Sequence, residues 1–399
     1  MSYLFNNKIK FHEEAVDAFG RLQIAPMVTL FDSQHRFRDN GKFDTAGYTG
    51  GTASYNIFES SISMSVGLTA GSECIRESKY ITPYQPGKGL LNLNTFVFNT
   101  PKNNLRQRLG YFGPSNGIFL EQNGLTLNMV LRSSVTGSVL ETRVPQYEWN
   151  GDKFDGTGVS NRIINTSKAN IFWLDVEWLG VGDVRTGFFV DGRPVTAHTF
   201  HNDNVHPTTY MTTACLPIRY ELTNLAGQTG SSTMRQICNT VISEGGYEPR
   251  SPVKTTDGYT AKTATTPGVF VPFCSIRLKQ TNLDSVVILS GADVVCDSTK
   301  IIAYRIILNG TLTGATFASY ASDSSVELDT TATQVSGGVI VQSGFVPGGV
   351  VIDVNDPQNF NLQLGRTIAG VSDTLTLAFT VTSEPDVDAF GSIKWYEIV

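Results

Sequence analysis

Charge is scarce in this chain of 399 residues. Only 17% of them are Asp, Glu, Lys or Arg, where an ordinary soluble domain has about a quarter. Basic residues are the scarcer kind, 30 against 36 acidic, for a formal net charge of -6. From Ala261 onward there are 7 basic and 13 acidic residues, while the first 260 residues are balanced. No basic stripe exists to neutralise phosphates or hold an anionic bilayer, so neither nucleic acid nor membrane is expected as a partner. Cysteine is also sparse and unpaired in pattern. Cys74, Cys215, Cys238, Cys274 and Cys296 are odd in number and have no C-x-x-C spacing. This excludes a zinc knuckle or thioredoxin-like motif and argues against a disulfide framework, so buried free thiols are expected. No stretch approaches ~18 apolar residues, the length a spanning helix needs. Met1 to Lys10 (MSYLFNNKIK) lacks the apolar centre of a signal peptide, so synthesis and folding in a reducing cytoplasm is the expectation.

What is abundant is Gly (38 residues) and neutral polar residues between short apolar runs, which argues against coiled coils, helical bundles and disorder. The pattern predicts an all-β protein. A jelly-roll-like antiparallel sandwich of the lectin/glucanase type over 51–248 is followed by a linker over 249–268. A second, smaller β-sandwich takes up 269–399, and an extended N-terminal arm takes up 1–50. In the arm, Phe11 to Phe19 suits two helical turns ended by Gly20, and Phe11, Phe19, Leu22, Ile24, Leu30 and Phe31 form an apolar set. Gly41 to Asn56 is rich in Gly, Thr and Ser and reads as a flexible link. The apolar set is therefore expected to anchor on a neighbouring subunit, the alternative being an extra strand on its own sandwich. Three turns mark hairpins: Thr136-Gly137, Asp191-Gly192 between Thr186–Val190 and Val195–Phe200, and Asn309-Gly310 after Ile301–Leu308. Along Thr374 to Thr382, Leu375, Leu377, Phe379 and Val381 share one face. Pro249 to Gly268, with three prolines, reads as a linker or long loop.

The sharpest chemical candidate is Trp173-x-Asp175-x-Glu177 in the run NIFWLDVEWL. Alternation on a strand puts these three on one face, with Phe172, Leu174, Val176 and Trp178 toward the core. Neighbouring carboxylates on a strand can approach the ~5–5.5 Å of a retaining glycosidase. Jelly-roll glucanases carry an acid-x-acid-x-acid strand, and Trp173 replaces the first acid. The alternatives are carboxylates in solvent or paired with Arg185, and a tryptophan that stacks on a sugar ring. His198, His201, His206 and Asp203 could approach one metal, but the spacing matches no metal motif, and a polar loop explains them. Asn150 to Gly158 (NGDKFDGTG) lacks the order of a calcium loop and reads as a tight turn. Gln85 to Gly89 (QPGKG) lacks the full phosphate-loop pattern, and no G-x-S-x-G occurs. No catalytic residue, metal or cofactor is assigned.

Several segments together resemble a family of tailed-phage virion structural proteins of the aquatic-phage tail fibre or virion protein type. They are DAFGRL (17–22), TLFDS (29–33), YQPGKG (84–89), LGYF (109–112), WNGDKFDGTG (149–158), EWLGVGDVR (177–185), YMTTACLPIRYE (210–221) and ICNTVISEGGY (237–247). The resemblance covers the chain through Tyr247, and more loosely the rest up to Trp395-Tyr396-Glu397. It implies a non-enzymatic structural component at a tail, fibre or capsid surface, made in the host cytoplasm. That component would assemble as a symmetric homo-oligomer with other virion proteins. Two alternatives stand beside it. One is a module that binds a host surface glycan or receptor, with Trp173, Asp175 and Glu177 as contact candidates. The other is a glycan hydrolase using Asp175 and Glu177, which a deep cleft and a carboxyl of raised pKa would favour.

Overall fold

The computed structural model describes residues 25–227, 230–248, 250–296, 300–348, the backbone of 351–355, 362–383 and 386–398. Fifteen strands build the first sandwich: β1 (Val28–Ser33), β2 (Phe43–Tyr48), β3 (Thr52–Asn56), β4 (Ser61–Val66), β5 (Glu73–Ser78), β6 (Leu90–Val97), β7 (Leu105–Phe112), β8 (Gly117–Asn123), β9 (Thr126–Ser133), β10 (Leu140–Pro145), β11 (Asn170–Val176), β12 (Val184–Val190), β13 (Arg193–Phe200), β14 (Ile218–Asn224) and β15 (Ser232–Ser243). One sheet runs β13-β12-β11-β6-β15-β4-β3, with β1 also paired to β15; the other runs β10-β9-β8-β7-β14-β5-β2. All pairs are antiparallel, so the expected jelly-roll-like sandwich is what the chain forms. Alternation produces it: in β6, Leu90, Asn92, Asn94 and Phe96 point inward, and Leu91, Leu93, Thr95 and Val97 stay half-buried outside. The core between the sheets is lined by residues such as Phe96, Tyr111, Leu120, Phe172, Phe188 and Tyr220.

The interior also holds a polar chain. Arg76 Nε donates to Gln236 Oε1 at 2.8 Å, and Gln236 donates to Asn239 Oδ1 at 3.0 Å. Asn239 Nδ2 in turn donates to Asn94 Oδ1 at 2.7 Å and to Tyr220 Oη at 2.6 Å. Such a network costs little only when its members are satisfied, and it ties one sheet to the other at fixed register.

Two expectations about the N-terminal region need correction. Leu30 and Phe31 do not anchor on a neighbour: they lie in β1, which pairs with β15, and Phe31 is in the sandwich core with Leu30 packed against it. The Gly-rich stretch is no flexible link either, because β2 and β3 occupy it and pair with β5 and β4. Its glycines serve close approach: a Cβ on Gly47 would sit 2.1 Å from Gly51 O, and one on Gly51 1.8 Å from Glu73 O. Phe11, Phe19, Leu22 and Ile24 lie outside the described residues.

The second sandwich has a five-stranded sheet, Val253–Thr255, Val387–Ile398, Val286–Cys296 and Val351–Asn355 in order, with Lys262–Ala264 also on Val387–Ile398. Its six-stranded partner runs Ala318–Ser319, Val326–Asp329, Val271–Leu278, Thr374–Val381, Ile302–Leu308 and Val339–Val346. Leu375, Leu377, Phe379 and Val381 are buried as the alternation requires, and Phe379 stacks on Phe273 at 4.5 Å. The expected linker over 249–268 is corrected in part: Val253–Thr255 and Lys262–Ala264 pair as short strands on this sandwich, because Val387–Ile398 offers backbone groups to both pieces. The hairpin at Asn309-Gly310 is corrected too, since Thr311–Thr313 pairs with Gln334–Ser336 and not with Ile302–Leu308. The Asp191-Gly192 turn forms as expected, with both φ angles positive at 50° and 76°.

The two sandwiches pack on each other. Glu77 on β5 forms ion pairs with both Arg219 on β14 and Arg366 from the second sandwich, and Arg366 also holds Asp284 at 2.8 Å. Arg366 N–H donates to Lys79 O at 2.9 Å, Ile368 N–H to Asp44 Oδ2 at 2.8 Å, and Gln363 Nε2 to Ile81 O at 2.8 Å. Ile81, Val286 and Ile288 form an apolar plug beside them.

Candidate functional site

The outer face of the first sheet carries the candidate site. Trp173 and Asp175 on β11 point outward, while Phe172, Leu174 and Val176 are in the core, as their alternation predicts. Trp178, just beyond the strand, is half-buried against that core and meets Tyr84 edge to face at 5.7 Å. Across the sheet, Trp173 sits opposite Gly187 of β12, where a Cβ would meet Val195 O at 2.0 Å. Asp175 sits opposite Arg185 and forms an ion pair with it. The expected series breaks at Glu177. It lies past the end of β11, is exposed, and is not among the residues that line the pocket with Asp175.

The second carboxyl at the site is instead Glu244, in the turn after β15. Strand β6 lies between β11 and β15, and Glu244 N–H donates to Gly89 O at 2.9 Å, which brings the carboxyl up to Asp175. A Cβ on Gly89 would stand 2.9 Å from Glu244 Oε2 and 3.4 Å from Asp175 Oδ1, so both carboxyls lie over this glycine. Burial, and then the neighbouring Asp175 charge, raise the Glu244 pKa. Asp175 Oδ1 is sealed from solvent with no hydrogen-bond partner. Oδ2 is taken by Arg185.

Leu91, Trp173, Asp175, Arg185, Phe189, Pro194, Thr196 and Glu244 enclose about 330 Å³. Trp173 is 6% exposed, and its indole N–H is buried without an acceptor. It therefore forms a wall rather than a free stacking platform. The lip is exposed Arg185 and half-buried Phe189. Three segments of the virion resemblance meet here: Gly89 ends YQPGKG, Arg185 ends EWLGVGDVR and Glu244 lies in ICNTVISEGGY. They are pinned together by Gln85 Nε2 donating to Glu248 O at 2.7 Å and Leu179 N–H donating to Tyr84 Oη at 3.1 Å.

The outer face of the second sheet holds an alternating-charge ladder that the sequence reading missed. Arg108 reaches Glu121 at 2.7 Å, Glu141 at 3.2 Å and Glu221 at 3.3 Å. Arg132 holds Glu141 at 2.7 Å, Arg143 holds Glu121 at 2.8 Å, and Arg219 holds Glu221 at 2.7 Å before reaching Glu77. Beneath them Phe112, Phe119 and Val130 are fully buried, with the Arg132 guanidinium 5.0 Å from the Phe119 centroid. Burial alone would raise the Glu221 pKa, but Arg219 and Arg108 outweigh it and hold it low. Every carboxylate of the ladder has a cation, which makes it a structural clamp.

The remaining candidates are placed apart. His198 is buried, stacks edge to face on Phe200 at 4.6 Å, and its pKa is pushed down to about 4 by burial and by His201. His201 pairs with Asp183 at 2.8 Å on the surface. Among the described residues no three His, Cys, Asp or Glu groups converge as a metal site would require. Asp152 of NGDKFDGTG is buried and accepts from Phe154 N–H at 2.8 Å and Ser160 N–H at 2.6 Å, which is the work of a turn. Cys74 and Cys274 are buried free thiols and Cys215 is half-buried, but Cys238 is exposed, against expectation, because the β15 register shifts between Gln236 and Asn239.

No protein-family model matches this sequence, and no curated protein matches it. Solved structures similar to it include arcelin-5, a lectin-like defense protein from Phaseolus vulgaris, at 11% identity and a TM-score of 0.33, over 56% of this chain and 100% of that one. A β-1,3-glucanase from Mycobacterium marinum is 14% identical with a TM-score of 0.33, over 55% of this chain and 100% of the other. A GH16 protein of a Bacteroides ovatus mixed-linkage glucan locus is 11% identical with a TM-score of 0.35, over 53% and 99%. These neighbours are lectin-like and glucanase folds, and at such scores they carry no argument about function.

Proposed function

We propose that this chain is a non-enzymatic structural component of a tailed-phage virion that assembles as a symmetric oligomer. The observation that supports this most is where the resembling segments lie. LGYF places Phe112 beneath the charge ladder, IRYE supplies its Arg219 and Glu221, with Arg219 also holding Glu77, and SEGGY carries Glu244, whose N–H ties it to Gly89, so their chemistry goes into rigidity. The carboxyl pair supports the non-enzymatic reading as well. Glu244 has the raised pKa that a hydrolase acid would need, yet it faces Asp175 directly. A glycosidase needs its two carboxyls on either side of the scissile bond, with the sugar between them. The test is mass spectrometry of separated heads and tails: the chain is expected in one of the fractions, and its absence from both rejects the reading. A hydrolase would instead show polysaccharide turnover that Glu244→Gln abolishes.

A second reading has its own observation. The 330 Å³ pocket has apolar walls from Trp173, Phe189 and Pro194 and polar groups from Arg185, Asp175 and Glu244, a composition that suits a sugar ring. In this reading the pocket contacts a host surface glycan. Titration with a panel of neutral saccharides tests it: binding lost in Arg185→Ala and Phe189→Ala supports a glycan contact, and no heat with any saccharide removes it.

A further inference from the structure

Sheet edges are templates for pairing, and natural proteins protect them with charge, proline or brevity. Two edges of the first sandwich follow that rule: β10 carries Glu141, Arg143 and Pro145, and β13 begins Arg193-Pro194. One edge of the second sandwich does not. Strand Val339–Val346 (VIVQSGFV) closes the six-stranded sheet, pairs among the described residues only with Ile302–Leu308, and contains no charge and no proline. Val339 is 62%, Ile340 47% and Phe345 65% exposed, with Ile301 beside them at 52%. A bulge between Ile306 and Ile307 interrupts the pairing at Val341, and Gln342 to Val346 then run regularly. Among the described residues no strand covers the outer side.

We infer that the free edge of Val339–Val346 pairs antiparallel with the same strand of a second copy, joining two six-stranded sheets across a two-fold axis. The occupant follows from the edges available. The opposite edge of this sheet is Ala318–Ser319, two residues long, so head-to-tail joining of the sheet has too little backbone to pair. A strand set against itself about a two-fold axis meets its own sequence, and an uncharged strand does so without placing like charges opposite each other. The same operation places Phe345, Ile340 and Val339 of one copy near those of the other, which covers exposed apolar surface. This assignment does not depend on a virion role.

The experiment is light scattering of the full chain across a concentration series, beside Ile340→Lys and Phe345→Lys, with circular dichroism on each. A wild-type dimer, or a larger even assembly, whose dissociation constant rises at least tenfold in both variants with spectra unchanged supports the inference. Single cysteines at Val341, Ser343 and Phe345 give an independent reading in case a lysine variant fails to fold. The residue nearest the axis should cross-link to its own copy under mild oxidation, in excess of the wild-type background from exposed Cys238. A monomeric wild type at tens of micromolar overturns the inference. So does an oligomer that neither lysine disturbs and no cysteine cross-links.

Discussion

At the residue scale, two carboxyls are tuned in opposite directions, and their pH signatures should differ in sign. Burial and the neighbouring Asp175 charge raise the folded pKa of Glu244 above its unfolded one. The folded state then binds the extra proton, and stability falls as pH rises from the ordinary glutamate range through the folded value. Glu244→Gln keeps the donor without the charge. Chemical denaturation from pH 4 to 8 should show the variant gaining on wild type toward the alkaline end; an unchanged difference across that range would mean the pair shares no proton. Glu221 is the reverse case, held low by Arg219 and Arg108. Its stabilisation is present above the unfolded pKa and is lost as pH falls through the folded one. Glu221→Gln leaves two buried guanidiniums short of a partner and should cost about 3 kcal/mol at neutral pH, with the penalty shrinking in acid.

At the element scale, strands declare themselves when a single face has to be apolar. TLTLAFTV and FWLDV show their inward residues by alternation alone, and Asp-Gly declares its hairpin through the φ angles it permits. The N-terminal strands escape such reading. Gly47 and Gly51 look like freedom in the sequence, yet their backbones touch neighbours that no Cβ could pass. Gly51→Ala should therefore destabilise the first sandwich by about 3 kcal/mol or more, as measured by urea unfolding. Loss within ordinary surface limits, about 0.5 kcal/mol, would contradict the packing described for β2 and β3. The same reasoning revises where the chain can be cut. Deleting residues 1–48 removes β1 and β2 and should abolish the native near-ultraviolet spectrum. A folded 1–48 deletion would restore the idea of a separable arm over that whole span.

At the scale of the whole molecule, the all-β class and the division into two sandwiches were legible, and the joints were not. Glu244 reaches Asp175 only because β6 separates β11 from β15, a pairing across some seventy residues that no local pattern announces. Arg366 likewise reads as one more polar residue until its loop is seen docked on Glu77. Arg366→Ala should leave Glu77 with Arg219 alone and loosen the joint between sandwiches. Calorimetry is expected to split one transition into two, with the first-sandwich peak moving by several degrees; a single unshifted peak would show that the clamp carries no coupling. The central claim remains that this rigid pair of sandwiches is a building block of a particle. Quantitative mass spectrometry of washed, infectious virions tests it most directly. The account predicts the chain at a fixed copy number per particle, a multiple set by the symmetry of head or tail. A chain abundant in the lysate but missing from the washed particles would contradict it.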